Sequence, residues 1–397
     1  MEMFISEKLA HLTPDEIKTL YQRYIQGDSV KKLLNEYKID CFPSKLYSLF
    51  PAIKSKEYSC PYCQKAMYLK PSSKTNQHVE HYFCQHCSHS LHLFNKKVRY
   101  LCTCRNCQEK YILEENQKQE EARKRIQEKY NISTFEPVSY EVLTLKEKCF
   151  LYGLYLLNHR ENEFGALKDL TKLIPLTPTK EMCRDIMETL FQKRILLVSP
   201  ESETDAFIGK DYAEAGLLYV YWSINLVYDH FERLTMSELG QKLYEDLNNK
   251  AGFAYDEIIS LIDEMLLQEL SAYLSYQLAE LNLPPAPDKV NKVFKDILND
   301  FSVSEIYYFI KKACSDALIF YSSGKSNGKK HAVNIIPSII LRLATRSKNE
   351  QWKKYYYNRH NSAPRSQFAM IFFDLFLKGE TADCGFYLNR NEILKLV

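Results

Sequence analysis

The sequence predicts a mainly α, multidomain protein of 397 residues that carries one small β module held together by metal. Three observations predict it. Seven of the twelve cysteines fall between Cys60 and Cys107, while apolar residues recur at helical spacing through most of the remaining chain. Tyrosine and phenylalanine are abundant, at 29 and 21, but glycine is scarce at 11, which favours helices and aromatic cores over Gly-rich phosphate loops or all-β architecture. No apolar run approaches the ~18 residues needed to span a bilayer, so no membrane partner is expected.

Residues 1–56 read as a compact three-helix unit. Thr13 is the N-cap of the first helix, with Pro14 at the first helical position and Glu16 closing a capping box. Ile17, Leu20, Tyr21, Tyr24 and Ile25 follow at helical spacing, and Gly27 ends the run. A short second helix covers Ser29 to Tyr37, and Pro43 opens a third that carries Leu46, Leu49 and Phe50. This order resembles helix-turn-helix modules, which implies a recognition helix in the third position, with Lys31, Lys32, Ser44, Lys45 and Ser48 as its phosphate or base contacts. A plain three-helix packing unit has the same pattern.

Residues 57–112 form the metal module. Cys60-Pro61-Tyr62-Cys63 and Cys84-Gln85-His86-Cys87 are two Cys-x-x-Cys turns, each of which points two thiolates at one ion. Cys102, Cys104 and Cys107 add three more ligands, and His89 or His92 would complete a second tetrahedral set. One partition gives Cys60, Cys63, Cys84 and Cys87 one zinc ion and the remaining cysteines with a histidine another; an interleaved one joins Cys84 and Cys87 to Cys104 and Cys107. Spacing does not choose between them, so one or two zinc ions are expected. A disulfide framework is disfavoured, because the start MEMFISEKLAHLTPDE has acids where a secretory signal has a basic segment, and the other five cysteines stand singly. A cytoplasmic location is the expectation. Closed four-ligand sites leave no open position for chemistry, which points to folding and recognition rather than catalysis.

The CPYC turn followed by HYFCQHCSHSL resembles the zinc ribbons of bacterial transposase-like and transcription-associated proteins. The resemblance covers residues 60–92 and implies a metal site, not a reaction. The same region is basic, with Lys65, Lys70, Lys74, Lys96, Lys97, Arg99, Arg105 and Lys110 against Glu57, Glu80 and Glu109.

Residues 113–137 read as a charged, solvent-exposed connecting helix ending before Pro137. Residues 138–210 have winged-helix order: a helix from Leu145 to Leu157, a short one from Ala166 to Leu173, a third from Lys180 to Lys193, a strand at 195–198 and a returning strand from Asp205 to Ile208. Lys180, Arg184, Lys193 and Arg194 would face DNA if this unit reads it.

Residues 211–397 read as almost wholly helical. An acidic half, from Asp229 to Glu305, precedes a basic segment over residues 322–365. Lys325, Lys329, Lys330, Arg342, Arg346, Lys353, Lys354, Arg359 and Arg365 lie there with Trp352 and several tyrosines, the residue types that neutralise phosphates and stack on bases. These ten are the candidate nucleic-acid contacts. The competing reading has the segment dock on the acidic half or on a second copy of the chain.

Ser323-Gly324-Lys325-Ser326 is not a P-loop, because Ile319 stands where the first glycine must be. His331, Asn334 and His360 are the residues a metal-dependent nuclease would use, a weaker reading. The expectation is therefore a non-enzymatic, zinc-stabilised protein that recognises nucleic acid, with DNA the first candidate. By architectural analogy alone it suits a regulatory component of a bacterial mobile-element or phage-defence system. The alternative is an adaptor that binds protein partners.

Overall fold

The computed structural model describes residues 6–74, 78–100, 102–209, 212, 214–229, 232–250, 252–352, 356–359, 364–378 and 383–397. It is mainly helical, with one small antiparallel sheet and a helical C-terminal region. The chain divides into two compact units, residues 1–121 and 122–397, and the divide falls inside the charged helix, upstream of Pro137.

In the first unit, α1 (Pro14–Gln26) starts at the Thr13–Glu16 capping box and stops at Gly27, whose φ of 108° is a left-handed conformation that suits glycine. Its apolar stripe packs Ile17 and Leu20 against Leu33 of α2 (Val30–Glu36) and against Leu46 and Phe50. Arg23 ties the helices together through Asp28 at 2.8 Å and Glu36 at 2.6 Å. The third helix differs from expectation. A 3-10 turn over Pro43–Lys45 leads into α3 (Leu46–Leu49), a single turn. At ~1.5 Å of rise per residue it is too short to lie along a DNA groove as a recognition helix.

Five strands follow in meander order: β1 (Ile53–Ser59), β2 (Ala66–Lys70), β3 (Val79–Phe83), β4 (Ser90–Phe94) and β5 (Lys97–Tyr100). All neighbours are antiparallel. The two Cys-x-x-Cys turns are the β1–β2 and β3–β4 connections. The loop after β2 seats on α1, where the Ser72 and Lys74 backbone N–H groups donate to the Tyr21 and Tyr24 hydroxyls. Helix α4 (Arg105–Lys129) then begins at the last cysteines. It is polar nearly all round; only Ala122 and Ile126 are buried along it.

In the second unit, α5 (Leu145–Leu157) starts at a Thr144–Glu147 capping box and is mostly buried. α6 (Leu167–Leu170) and α7 (Lys180–Gln192, capped by Thr179) pack beside it. The strand β7 (Leu196–Val198) does not pair with residues 205–208. Its partner is β10 (Trp222–Ile224), and Phe164 bridges Trp222 on the other side. Residues 207–208 form β8 (Phe207–Ile208), which pairs with β9 (Glu214–Ala215) inside the intervening loop. β11 (Leu226–Val227) runs parallel to β6 (Val138–Ser139). The reading of 212 onward as almost wholly helical thus misses three short strands. Burial explains them: Trp222 is fully buried and fills the gap between α7 and the sheet, its ring edge-on to Phe191.

The remaining helices build one continuous apolar core: α8 (Met236–Asn249), α9 (Tyr255–Glu280), α10 (Lys289–Ile297), α11 (Val303–Ser322), α12 (Lys329–Val333) and α13 (Ile336–Asn349), then a π-helical segment Ile371–Phe376. Tyr273 of α9 stacks flat on Tyr307 of α11 at 3.6 Å. No helix among the described residues is long and apolar enough to cross a membrane.

Candidate metal centres

The two Cys-x-x-Cys turns fold alike. In the first, Cys60 N–H donates to the Lys65 carbonyl and Gln64 N–H to the Cys60 carbonyl; in the second, Cys84 and Ser88 repeat the pattern with His89 and Cys84. The residue after each second cysteine, Gln64 or Ser88, takes a left-handed φ of 57°. This bend turns both thiols of each pair to one side. Because both turns sit at the same end of the sheet, the pairs converge.

Cys60, Cys63, Cys84 and Cys87 form one cluster and His89, Cys102, Cys104 and Cys107 a second; in each, the four ligand atoms lie within 4.8 Å of one another. Sulfur separations in the first are 3.3 Å for Cys60–Cys87, 3.3 Å for Cys63–Cys84 and 4.0 Å for Cys63–Cys87. Tetrahedral zinc with Zn–S bonds of ~2.3 Å places its sulfurs about 3.8 Å apart, so the set fits the ion. In the second, His89 Nδ1 lies 3.3 Å from Cys107 Sγ and 3.8 Å from Cys104 Sγ, bracketing the ~3.6 Å that the same geometry asks of a nitrogen–sulfur pair. The described cysteines are all free thiols, as metal ligation requires.

The structure thus separates the two partitions that spacing left open. The simple one is built and the interleaved one is not. His89 rather than His92 joins the second cluster, because His92 sits on β4 with its ring stacked 3.9 Å from that of His81.

The surroundings favour the thiolate at one cysteine of each cluster, Cys84 and Cys102, while burial and the neighbouring thiols push Cys87 and Cys104 up. Burial works against the Cys84 thiolate, but the backbone N–H groups of Cys87 and His86 outweigh it and hold the thiol at about 7. Burial likewise opposes the Cys102 thiolate, and the Ser90 hydroxyl with the Cys104 and Ser90 N–H groups brings that thiol down to about 6. Such outer contacts orient ligands and tune their basicity. Tyr62, inside the first turn, reaches the other cluster: its hydroxyl lies 3.1 Å from Cys107 Sγ and its ring packs edge-on to His89. Sequence reading treated Tyr62 only as a spacer between two ligands.

The ten candidate nucleic-acid contacts of the C-terminal segment are not one surface. Lys353 and Lys354 lie outside the described residues. Arg359 is an internal ion-pair residue, 2.5 Å from Glu269 and 2.7 Å from Asp383, its guanidinium over the Phe386 ring. Arg365 pairs with Asp374 at 2.6 Å and Asp383 at 3.0 Å. Both are structural, not phosphate ligands. Arg346 pairs with Glu350 and lies over Trp352, whose indole N–H donates to the same Glu350. Lys329 donates to the Asn282 carbonyl. Lys325, Lys330 and Arg342 remain exposed.

The other candidates fare similarly. On α7, Arg184 sits among Asp185 and Glu188, and Lys193 pairs with Glu147 at 2.7 Å, so the exposed side of that helix is close to charge-balanced. His331 braces a loop by accepting Asn327 N–H, its ring edge-on to Phe320; Asn334 is exposed, and His360 lies outside the described residues. No family model, curated protein or solved structure matches this chain.

Proposed function

We propose that the protein binds nucleic acid through its metal-bearing first unit, and that zinc serves to build the contact surface. One observation carries this reading. Residues 51–104 hold Lys54, Lys56, Lys65, Lys70, Lys74, Lys96, Lys97 and Arg99 against only Glu57 and Glu80. Lys54, Lys56, Lys65, Lys70, Lys96 and Lys97 are exposed, and among the described residues none of the six forms an ion pair with a carboxylate. Two zinc–thiolate centres of this composition bring about three negative charges, fewer than the surplus, so a positive surface survives metal loading. Unpaired lysines on a small rigid sheet are the electrostatic footprint of a polyanion site.

The finer domain readings fit as scaffold. The meander with its two cysteine turns reads as a zinc ribbon. The run α5, Phe164, α6, α7, β7, β10 reads as a winged helix. With its α7 side charge-balanced, that unit serves packing rather than phosphate contact.

A second reading, a protein-binding adaptor, is favoured by Tyr111, Ile112 and Leu113 of α4, three successive apolar residues that are each more than half exposed. Ionic strength separates the two. Phosphate binding through these lysines weakens steeply between low and physiological salt, and changing Lys54, Lys56, Lys96 and Lys97 to Gln abolishes it. The matching change at Lys325, Lys330 and Arg342 leaves it in place. Absence of salt-sensitive binding to any nucleic acid would sink the proposal in favour of the adaptor.

A further inference from the structure

The two faces of the five-stranded sheet carry different kinds of side chain. Strand alternation sends Met67, Tyr82 and Leu93 to the buried side, where they form a small core with Cys60 and Cys84. The other side holds rings in register: Tyr68 stands opposite Phe83, and His81 opposite His92. Their centroids are 6.1 Å apart for Tyr68–Phe83, 6.5 Å for Phe83–His81 and 3.9 Å for His81–His92. These four rings are half-buried, and Phe94 extends the row with 43% of its surface exposed.

Lysines border the rings. Lys54 is opposite Tyr68, Lys70 opposite His81 and Lys97 opposite Phe94. Lys70 Nζ lies 5.0 Å from the Phe83 ring centre. At the end of the row nearest the first cysteine cluster is a groove of about 460 Å³, lined by Lys54, Lys65, Tyr68 and His86 among others.

We infer that this face is a platform for single-stranded nucleic acid, with bases laid on the Tyr68, Phe83 and His81–His92 rings and phosphates met by Lys54, Lys65, Lys70 and Lys97. The inference rests on the nucleic-acid reading above and adds the form of the ligand and the place it binds. Lysines alone would suit any polyanion. Flat rings between them suit only a polyanion that also offers π-faces, and in a duplex those faces are covered by neighbouring base pairs. Three strands span about 10 Å, room for two or three splayed bases. Stacking offers every base the same π-face contact, so this mode of binding is tolerant of sequence.

The test uses the full zinc-loaded chain and fluorescence anisotropy with oligo-dT, oligo-rU and a duplex, each of about 20 residues or base pairs, enough to cover a site of this class. Expected are tighter binding to single strands than to duplex, and a loss of roughly 5- to 150-fold for Phe83→Ala. Phe83→Trp keeps the affinity, and zinc content does not change in either variant. The dT and rU arms show which sugar is preferred. Should Phe83→Ala shed zinc, the exposed Phe94→Ala with Lys70→Gln takes its place and must weaken binding. Equal affinity for duplex and single strands, full competition by polyglutamate, or unchanged binding by the ring variants with zinc retained would overturn the platform and leave the nucleic-acid reading standing. Failure of every nucleic acid to bind at low salt would remove both.

Discussion

The Tyr62 hydroxyl lies 3.1 Å from Cys107 Sγ, so a residue inside the turn of one metal cluster hydrogen-bonds a ligand of the other. With Cys107 ligated as a thiolate, the phenol is the donor. Outer-shell contacts of this kind change metal affinity by about 10- to 100-fold when removed. Tyr62→Phe is therefore expected to weaken the second site by that factor and leave the first unchanged. Chelator competition, with zinc release followed as two phases, measures it; two unshifted phases would show the contact to be idle.

Metal removal should act on the first unit alone. The buried core of the sheet is Cys60, Met67, Tyr82, Cys84 and Leu93, too little apolar surface to hold five strands. The second unit has its own extensive core with no cluster ligand in it. Calorimetry with a strong chelator should abolish the transition of the five-stranded sheet and keep that of the second unit. Loss of both would show that the second unit depends on metal.

Arg359 offers a test of the opposite kind, on stability rather than binding. Its guanidinium lies between Glu269 and Asp383, with Glu269 only 4% exposed. Arg359→Ala leaves that carboxylate buried without its partner, at a cost of about 3–5 kcal/mol. Denaturant unfolding should show this loss while oligonucleotide affinity stays unchanged. Weakened affinity with unaltered stability would return Arg359 to the binding surface.

Packing sets a fourth expectation. A Cβ on Gly240 would come within 2.3 Å of the Tyr155 ring, which lies flat over that turn of α8. Gly240→Ala should gain helix propensity yet destabilise, by roughly 1–3 kcal/mol, because the ring must shift in a filled core. A variant that melts higher than the parent would show that Tyr155 moves without cost.

His81 sets a pH dependence. Burial, with the His92 and Lys70 charges adding to it, pushes this imidazole down to about 4 from 6.5. The fold favours the neutral ring, so its stabilising contribution is whole above pH 6.5 and is lost as pH falls through about 4. With zinc held in excess, His81→Gln should show a shallower acid loss of stability than the parent. Parallel profiles would remove His81 as the cause.

Much of the fold was legible in local signals. The Thr13–Glu16 box, the Thr179 cap and the apolar run from Leu145 to Leu157 each define a helix boundary within one or two turns of chain, and each stands where the spacing put it. The cysteine ligands were legible for the same reason. What local signals lack is pairing. Nothing near Leu196–Val198 announces that its partner is Trp222–Ile224, because a loop with its own hairpin lies between them. Charge read along the chain likewise says nothing of depth, and so Arg359 and Arg365 looked like surface cations when they close internal ion pairs. Tyr68, His81 and Phe83 were overlooked because their meaning is a register between strands, and His92 beside them competed as a ligand candidate.

Both tryptophans, Trp222 and Trp352, belong to residues 122–397. Trp222 is sealed beside β7, whereas Trp352 is half-buried against Arg346. Indole fluorescence is consequently blind to the unit that carries the two cysteine clusters. Cobalt held at the two clusters would give visible d–d bands and near-ultraviolet thiolate charge-transfer bands, and every cluster ligand lies in that unit. The two halves of the chain thus carry separate optical labels, and unfolding, metal exchange and ligand binding can be followed at each without a fluorophore being added.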